Sequence, residues 1–213
     1  EEFEKQLKWL KDNNWTSFTL SELASLKEIP LKSVVITFDD GYEDNFKNAY
    51  PLLKKYGFKA TIYIVLNRFN QDWATDKDLN QASSELNSEK MLSNEQIKER
   101  LYSVLIEIGS HTLDHVNLPK LTKEKKEKQI IESKKQIEEI FNIKCSSFAY
   151  PFGFFDNQDV EILKNSSYTN ATTIVNGVYD KTKCSDFLIP RIMISGRQNI
   201  YSFILKMKKG RNR

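Results

Sequence analysis

Two histidines, His111 and His115, are the only ones in the chain, and they stand four residues apart just after a Gly109-Ser110 pair. A single imidazole is usually structural, but two placed together beside a turn suggest a shared metal ion. One carboxylate would complete a facial triad of two His and one Asp, leaving coordination positions open for water and substrate. Asp39-Asp40-Gly41 offers two candidates. Neighbouring side chains at a strand end diverge, so a division of roles follows: Asp40 as the ligand, Asp39 standing off as general base for a water activated by the ion. The ion would polarise a carbonyl and stabilise its oxyanion. Read alone, Asp39-Asp40-Gly41 is a turn with a helix cap. Combined with the histidine pair, it points to metal-dependent hydrolysis. Tyr150-Pro151-Phe152-Gly153 is a third polar-aromatic cluster.

These clusters must be brought together by strands. Ser33–Phe38 is a β-branched apolar run that ends in Asp39-Asp40-Gly41; a helix over Asn45–Tyr56 stopped by Gly57 and a buried-type strand over Ala60–Leu66 follow. Strand, helix, strand is a βαβ unit and implies a parallel sheet. Residues 67–92 (Asn67, Gln71, Asp76, Asn80, Ser83, Ser84) read as a long excursion. Ser93 opens a helix ending near Tyr102, and Val104–Ile108 is a third strand running to His111. Thr122–Phe141 is a charged helix with Ile130, Ile137, Ile140 and Phe141 inward and its Lys and Glu residues forming a solvated face. Cys145–Tyr150, Thr172–Val175 and Leu188–Ile194 complete the strands, with a helix near Asp156–Lys164. Before all of these lie a helix over Phe3–Lys11 and a short one opened by Ser21. Parallel α/β folds carry their chemistry at the C-terminal strand ends, so the three clusters converge.

The 213 residues suit one domain, 1–213. With 32 basic against 29 acidic residues the net charge is +3, which gives no electrostatic case for nucleic acid. The basic run Lys206–Arg213 reads as a frayed, solvated tail. No apolar run approaches the roughly 20 residues of a membrane-spanning helix. No signal peptide precedes Glu1, and the opening within a helix leads us to expect that the native N-terminus is missing. Cys145 and Cys184, 39 positions apart, are expected as free thiols.

Thr37-Phe38-Asp39-Asp40-Gly41, Ser110-His111-Thr112-Leu113-Asp114-His115 and Tyr150-Pro151-Phe152-Gly153 resemble, in the same order, the three motifs of the polysaccharide deacetylases of carbohydrate esterase family 4, the NodB-homology domain. The similarity covers nearly the whole chain. It implies an α/β fold, a distorted (β/α) barrel of about seven parallel strands. It also implies a bound divalent metal, zinc with cobalt or nickel as alternatives, and removal of N-acetyl groups from a sugar polymer. By position, Asp39 would be the base, Asp40, His111 and His115 the metal ligands, and a backbone N–H near Phe152 an oxyanion donor. Tyr150, Pro151, Phe152 and Gly153 would line the substrate. Ser93–His115 and Ile189-Pro190-Arg191-Ile192 look most like bacterial exopolysaccharide deacetylases acting on poly-N-acetylglucosamine. A monomer outside the cytoplasm, peripherally associated with the cell envelope, is the corresponding expectation.

The chain departs from that pattern twice. The family often has an Arg just before the third motif, where Ala149 and Tyr150 stand here; Arg191 on the last strand is the candidate substitute for orienting the base, against an ordinary surface ion pair. Family members also carry a late histidine that protonates the leaving amine, and no histidine follows His115. Another group, water or a tyrosine, or residues preceding this chain would have to supply that proton. Otherwise the protein is a glycan-binding or assembly protein that kept the fold without turnover. Among the aromatics, Tyr42, Phe152, Phe154 and Phe155 are candidates for stacking on sugar rings, with core or rim packing as the alternative for Phe154 and Phe155.

Overall fold

A computed structural model describes residues 2–69, 89–101, 103–196 and 198–210. Seven strands form one sheet in chain order, β1 (Thr16–Phe18), β2 (Ser33–Phe38), β3 (Ala60–Ile64), β4 (Ile106–Ser110), β5 (Ser147–Ala149), β6 (Asn170–Asn176) and β7 (Ile189–Arg191), and every neighbouring pair is parallel. This is the α/β architecture of seven parallel strands that the resemblance implied. Among the described residues the α-helices α1 (Glu2–Asp12), α2 (Leu20–Ser25), α3 (Tyr50–Tyr56), α4 (Asn94–Leu101), α5 (Lys123–Glu127), α6 (Ser133–Phe141), α7 (Asn157–Asn165) and α8 (Ile200–Lys209) provide the connections and flanks.

The two-residue period of the strands sorts their side chains. Ala60, Ile62 and Ile64 of β3, with Ile106 and Ile108 of β4, pack outward against Leu53, Ile97, Ile130 and Ile137 of the helices. The opposite faces carry Tyr63, Ala149 and Ile189, which meet Leu20 and Leu23 of α2. α2 closes the N-terminal end of the strands. Its Leu20 N–H donates to Thr61 Oγ1 at 2.9 Å and its Ser21 N–H to Glu107 Oε2 at 3.1 Å. The C-terminal strand ends are thereby left as the open mouth.

Several elements differ from the expected ones. β1 was not anticipated, because three residues are too short to show a period. The third strand lies two residues later than Val104–Ile108; Val104 is exposed and left-handed, at φ 53°. This shift places His111 directly after the strand end. Thr19, not Ser21, caps α2, in a capping box with Glu22. The helices over Asn45–Tyr56 and Thr122–Phe141 each contain a π-helical turn, at Asn45–Ala49 and Lys128–Glu132. The basic run is no frayed tail as far as Gly210: α8 buries Phe203 edge-on against Trp9, with ring centroids 6.0 Å apart. Of the excursion expected at 67–92, residues 70–88 lie outside the described residues, as do Tyr102 and residues 211–213. Its return is fixed, since Leu92 N–H donates to Gly41 O at 2.9 Å. Cys145 and Cys184 are free.

One lysine on the charged helix is buried. Lys126 Nζ lies 3.2 Å from Asp159 Oδ1 and also contacts Asp156, the N-cap of α7. Burial pushes the Asp159 carboxyl above its ordinary value despite hydrogen bonds from the Asp156 backbone and Lys126. Replacing Lys126 by Met removes the cation and leaves that carboxylate uncompensated, so unfolding free energy at pH 7 should drop by about 3 kcal/mol. The unpaired Asp159 would protonate in the folded state before the unfolded chain does, so the deficit should narrow as pH falls. Denaturant titrations of parent and variant at neutral and mildly acidic pH measure both; an equal deficit throughout would contradict the assignment.

Candidate metal centre

Asp39 follows β2, and the chain turns at once. Asp40 and Gly41 are both left-handed, at φ 72° and 86°, and Gly41 N–H donates to Asp39 O at 2.9 Å. A Cβ at Gly41 would come within 3.1 Å of Ile64 Cγ2, so this tight crossing over β3 favours glycine on both counts. The turn splays the two aspartates, Asp40 toward the histidines and Asp39 toward β7.

His111 leaves β4 with its N–H bound to Ile64 O at 2.9 Å and its side chain buried. Its Nδ1 lies 2.8 Å from Ala149 O, and since a carbonyl only accepts, Nδ1 carries the proton and donates it. Nε2 is therefore the face presented to Asp40. His115 is reached through left-handed Thr112 (φ 71°), is itself left-handed (φ 51°), and donates its N–H to Thr112 Oγ1 at 2.9 Å. Nε2 of His111 and Nε2 of His115 each lie 3.4 Å from Asp40 Oδ1. Burial works to discharge His111, but hydrogen bonding to Asp40 and the charges of Asp39 and Asp40 outweigh it and raise its pKa.

One donor atom from each of Asp40, His111 and His115 lies within 4.8 Å of the others. Donors held about 2.0–2.1 Å from one tetrahedral centre are separated by about 3.3–3.4 Å, so the two His-to-Asp distances suit a common ion. Two neutral imidazole nitrogens and a carboxylate oxygen are the donor set of a catalytic divalent-metal site. The residues fit a divalent metal. That set does not by itself select which one.

Arg191, at the end of β7, crosses to β2. It grips Asp39 with both terminal nitrogens, Nη1 to Oδ1 at 2.8 Å and Nη2 to Oδ2 at 2.9 Å, donates from Nη1 to Thr37 Oγ1 at 3.2 Å, and donates from Nε to Thr173 O at 2.9 Å. A bidentate pair with only 17% of the Arg191 side chain exposed is not an incidental surface contact. Burial alone would raise the Asp39 pKa, but the charge and hydrogen bonds of Arg191, with the nearby imidazoles, hold the carboxyl below its ordinary value.

The third cluster divides. Phe152 is left-handed (φ 57°), and its ring packs edge-on against His115 with centroids 4.4 Å apart; the ring of Phe154 lies 6.0 Å beyond. Gly153 and Phe154 donate their N–H groups to Tyr150 O and Pro151 O, and the Phe152 N–H belongs to neither of those bonds. Tyr150 does not offer its side chain to a substrate. Directly after β5 and on the same side as Phe148, it packs its ring on Phe148 and Phe155, and its hydroxyl donates to Phe187 O at 3.0 Å. Pro151 is buried likewise, so of the four expected substrate contacts only Phe152 and Gly153 stand at the rim. Tyr42 is half-buried beside Asp40; burial, with the charges of Asp40 and Asp44, pushes its phenol up to about 12.

Beyond Thr37, which stands in the first motif, sequence reading missed the residues that brace these groups: Thr173 beside Arg191, and Asn67 and Gln129 around the histidine loop. Their types are unremarkable in strands, loops and a polar helix face, so no sequence signal marked them.

Residues 27–171 match the family described as polysaccharide deacetylase. A poly-beta-1,6-N-acetyl-D-glucosamine N-deacetylase of Staphylococcus aureus is 31% identical over 205 residues, covering 91% of this chain and 66% of its own length. The structure of a polysaccharide deacetylase from Bacillus cereus superimposes with a TM-score of 0.78 at 28% identity, over 97% of this chain and 60% of that one. The Streptococcus pyogenes deacetylase PplD, in complex with acetate, shares the fold at TM-score 0.80 and 23% identity, over 97% and 85% of the two chains. The chain spans 64–66% of the length of the curated relatives it matches. Over the matched residues, which include Asp39, Asp40, His111, His115 and the Tyr150–Gly153 turn, this chain belongs to the polysaccharide deacetylase family.

Proposed function

We propose that this chain is the catalytic domain of a metal-dependent N-deacetylase acting on a polysaccharide that contains N-acetylglucosamine, with zinc held by Asp40, His111 and His115. The observation that carries this reading is the convergence of three donor atoms on one point, beside an aspartate gripped by Arg191. The name of the S. aureus relative supports the substrate class. An extracytoplasmic, envelope-associated monomer is the setting in which such a polymer would be met.

The ion, when bound, supplies a Lewis acid that polarises the amide carbonyl and lowers the pKa of water. Asp39 accepts the proton of the attacking water. Arg191 keeps Asp39 ionised and fixes its plane, while each carboxylate oxygen retains a lone pair beyond the one Arg191 occupies. The Phe152 N–H donates to the oxyanion as it develops. The rings of Phe152 and Phe154, the latter 38% exposed, give the sugar an apolar surface.

A second reading, glycan binding without turnover, is favoured by one observation: within these 213 residues no histidine after His115 offers a proton to the leaving amine. Acetate release from an N-acetylglucosamine oligomer, measured with the zinc-loaded protein, separates the two. Chelation should abolish release, and zinc, cobalt or nickel should restore it. Asp39→Asn should retain about one metal per chain and lose activity by roughly 10²–10⁴-fold. A parent protein that binds oligomer and metal but releases no acetate supports the second reading, and one that binds no metal refutes the first.

Arg191→Met should also keep the metal, yet lower kcat by about 10²-fold, because Asp39 loses its orientation. An unchanged kcat would reduce the Arg191–Asp39 pair to a structural contact.

A further inference from the structure

We infer that Gln129, on the helix behind the site, is a positioning residue that sets the backbone of the loop carrying His115. The inference rests on the metal-centre reading above. Gln129 lies in the π-helical turn Lys128–Glu132 and is 9% exposed, on a helix whose other polar side chains mostly face water. A π turn interrupts regular helical hydrogen bonding and recurs at functional sites. Here it faces the loop between the two histidines.

Gln129 uses both ends of its amide. Oε1 accepts the N–H of Leu113 and of Asp114, each at 3.1 Å, and Nε2 donates to Asp114 Oδ2 at 2.6 Å. Only one amide orientation satisfies these partners, since backbone N–H groups must donate and a carboxylate must accept. Asp114 Oδ1 accepts from Asn67 Nδ2 at 2.5 Å, so the loop is also tied to the segment after β3. Asp114 immediately precedes His115, whose left-handed backbone is a conformation that surrounding contacts must impose. The same stretch of helix holds the start of the loop. Ser133 Oγ lies 2.7 Å from Ser110 Oγ, which accepts the Thr112 N–H at 3.3 Å. The loop from Ser110 to His115 is thus clamped near both ends by one side of the helix.

The chemistry demands an amide at Gln129. An apolar residue would leave two loop N–H donors without their acceptor. A carboxylate would still accept from those donors but would face the Asp114 carboxylate, with no hydrogen to share and like charge opposed. Exchanging the two groups, Asp114→Asn with Gln129→Glu, would restore every donor–acceptor match. The introduced Asn amide would donate to the introduced carboxylate and keep its carbonyl for Asn67, and the total charge of the pair would be unchanged.

The test measures zinc affinity by chelator competition, the visible spectrum of the cobalt-loaded protein and the melting temperature without metal, in the parent, Gln129→Glu, Gln129→Leu and the Asp114→Asn/Gln129→Glu exchange. The two single substitutions should weaken zinc binding about 10- to 100-fold and alter the cobalt spectrum. The exchange should recover both, and as the variant that keeps all hydrogen bonds it also serves if the single substitutions fold poorly. Parent-like affinity and spectrum in Gln129→Glu, or an exchange that binds no better than Gln129→Glu, would overturn the inference and leave the metal site standing. A parent that binds no zinc would overturn the metal reading, and this inference with it.

Discussion

The sheet of seven parallel strands has two edges, β1 and β7, and among the described residues no ladder bond joins them. β1 pairs only with Ser33–Val35, the first half of β2, so the half that leads to Asp39 lacks that neighbour. Arg191 takes up the role there. By binding Thr37 on β2, Asp39 just after it and Thr173 on β6 from its own place on β7, one guanidinium connects β2 to the β6–β7 edge, which the backbone leaves apart. Parallel order delivers the strand ends to one rim, and this side chain fixes how the first and last of the functional ends face each other. A lysine, with a single point of charge, could not make the same planar, multi-directional contact.

The rim is assembled against local preference. Asp40, Thr112, His115 and Phe152 all have positive φ without being glycine. Such residues cost on the order of 1–3 kcal/mol each and persist where surrounding contacts over-determine them. Those contacts are visible: Thr112 Oγ1 under the His115 amide, Gln129 under Leu113 and Asp114, and Asn67 N–H on Leu113 O at 2.8 Å. The large apolar layer between sheet and helices supplies the stability, and the rim spends part of it on holding side chains where an unconstrained chain would not put them.

What could be read from residue types was the candidate metal-binding set and the alternation of elements. Histidines four apart, an acidic pair after a β-branched run and an apolar strand on either side of a helix are local patterns, and the structure keeps them local. What escaped depended on tertiary contacts. β1 is three residues held by pairing to β2, and α8 follows a weak pattern made helical by packing on α1. The two-residue error in β4 arose because Val104 and Leu105 are apolar but belong to the approach, with Val104 turned to water. Tyr150 looked like a site residue because it stands in the third motif, yet it keeps the side of Phe148, two residues before it, and packs into the core, while the left-handed backbone of Phe152 turns the chain only afterwards. The partners of Arg191 and of the histidine loop come from four separate elements, a relation no single stretch of chain displays.

The adjacent aspartates show how neighbourhood, not residue type, assigns a role. Asp40 faces two imidazoles and Asp39 faces a guanidinium. With Asp39 neutralised by Arg191, a divalent ion held by the triad would be opposed by one carboxylate only, which would leave net positive charge where, in the proposed reaction, an amide oxygen gains negative charge. Were Arg191 absent, Asp39 would add its own uncompensated negative charge beside Asp40 and oppose the field that an oxyanion needs. The guanidinium on β7 therefore sets Asp39 apart from Asp40 in charge as well as in space, which is the condition that the proposed division into base and ligand requires.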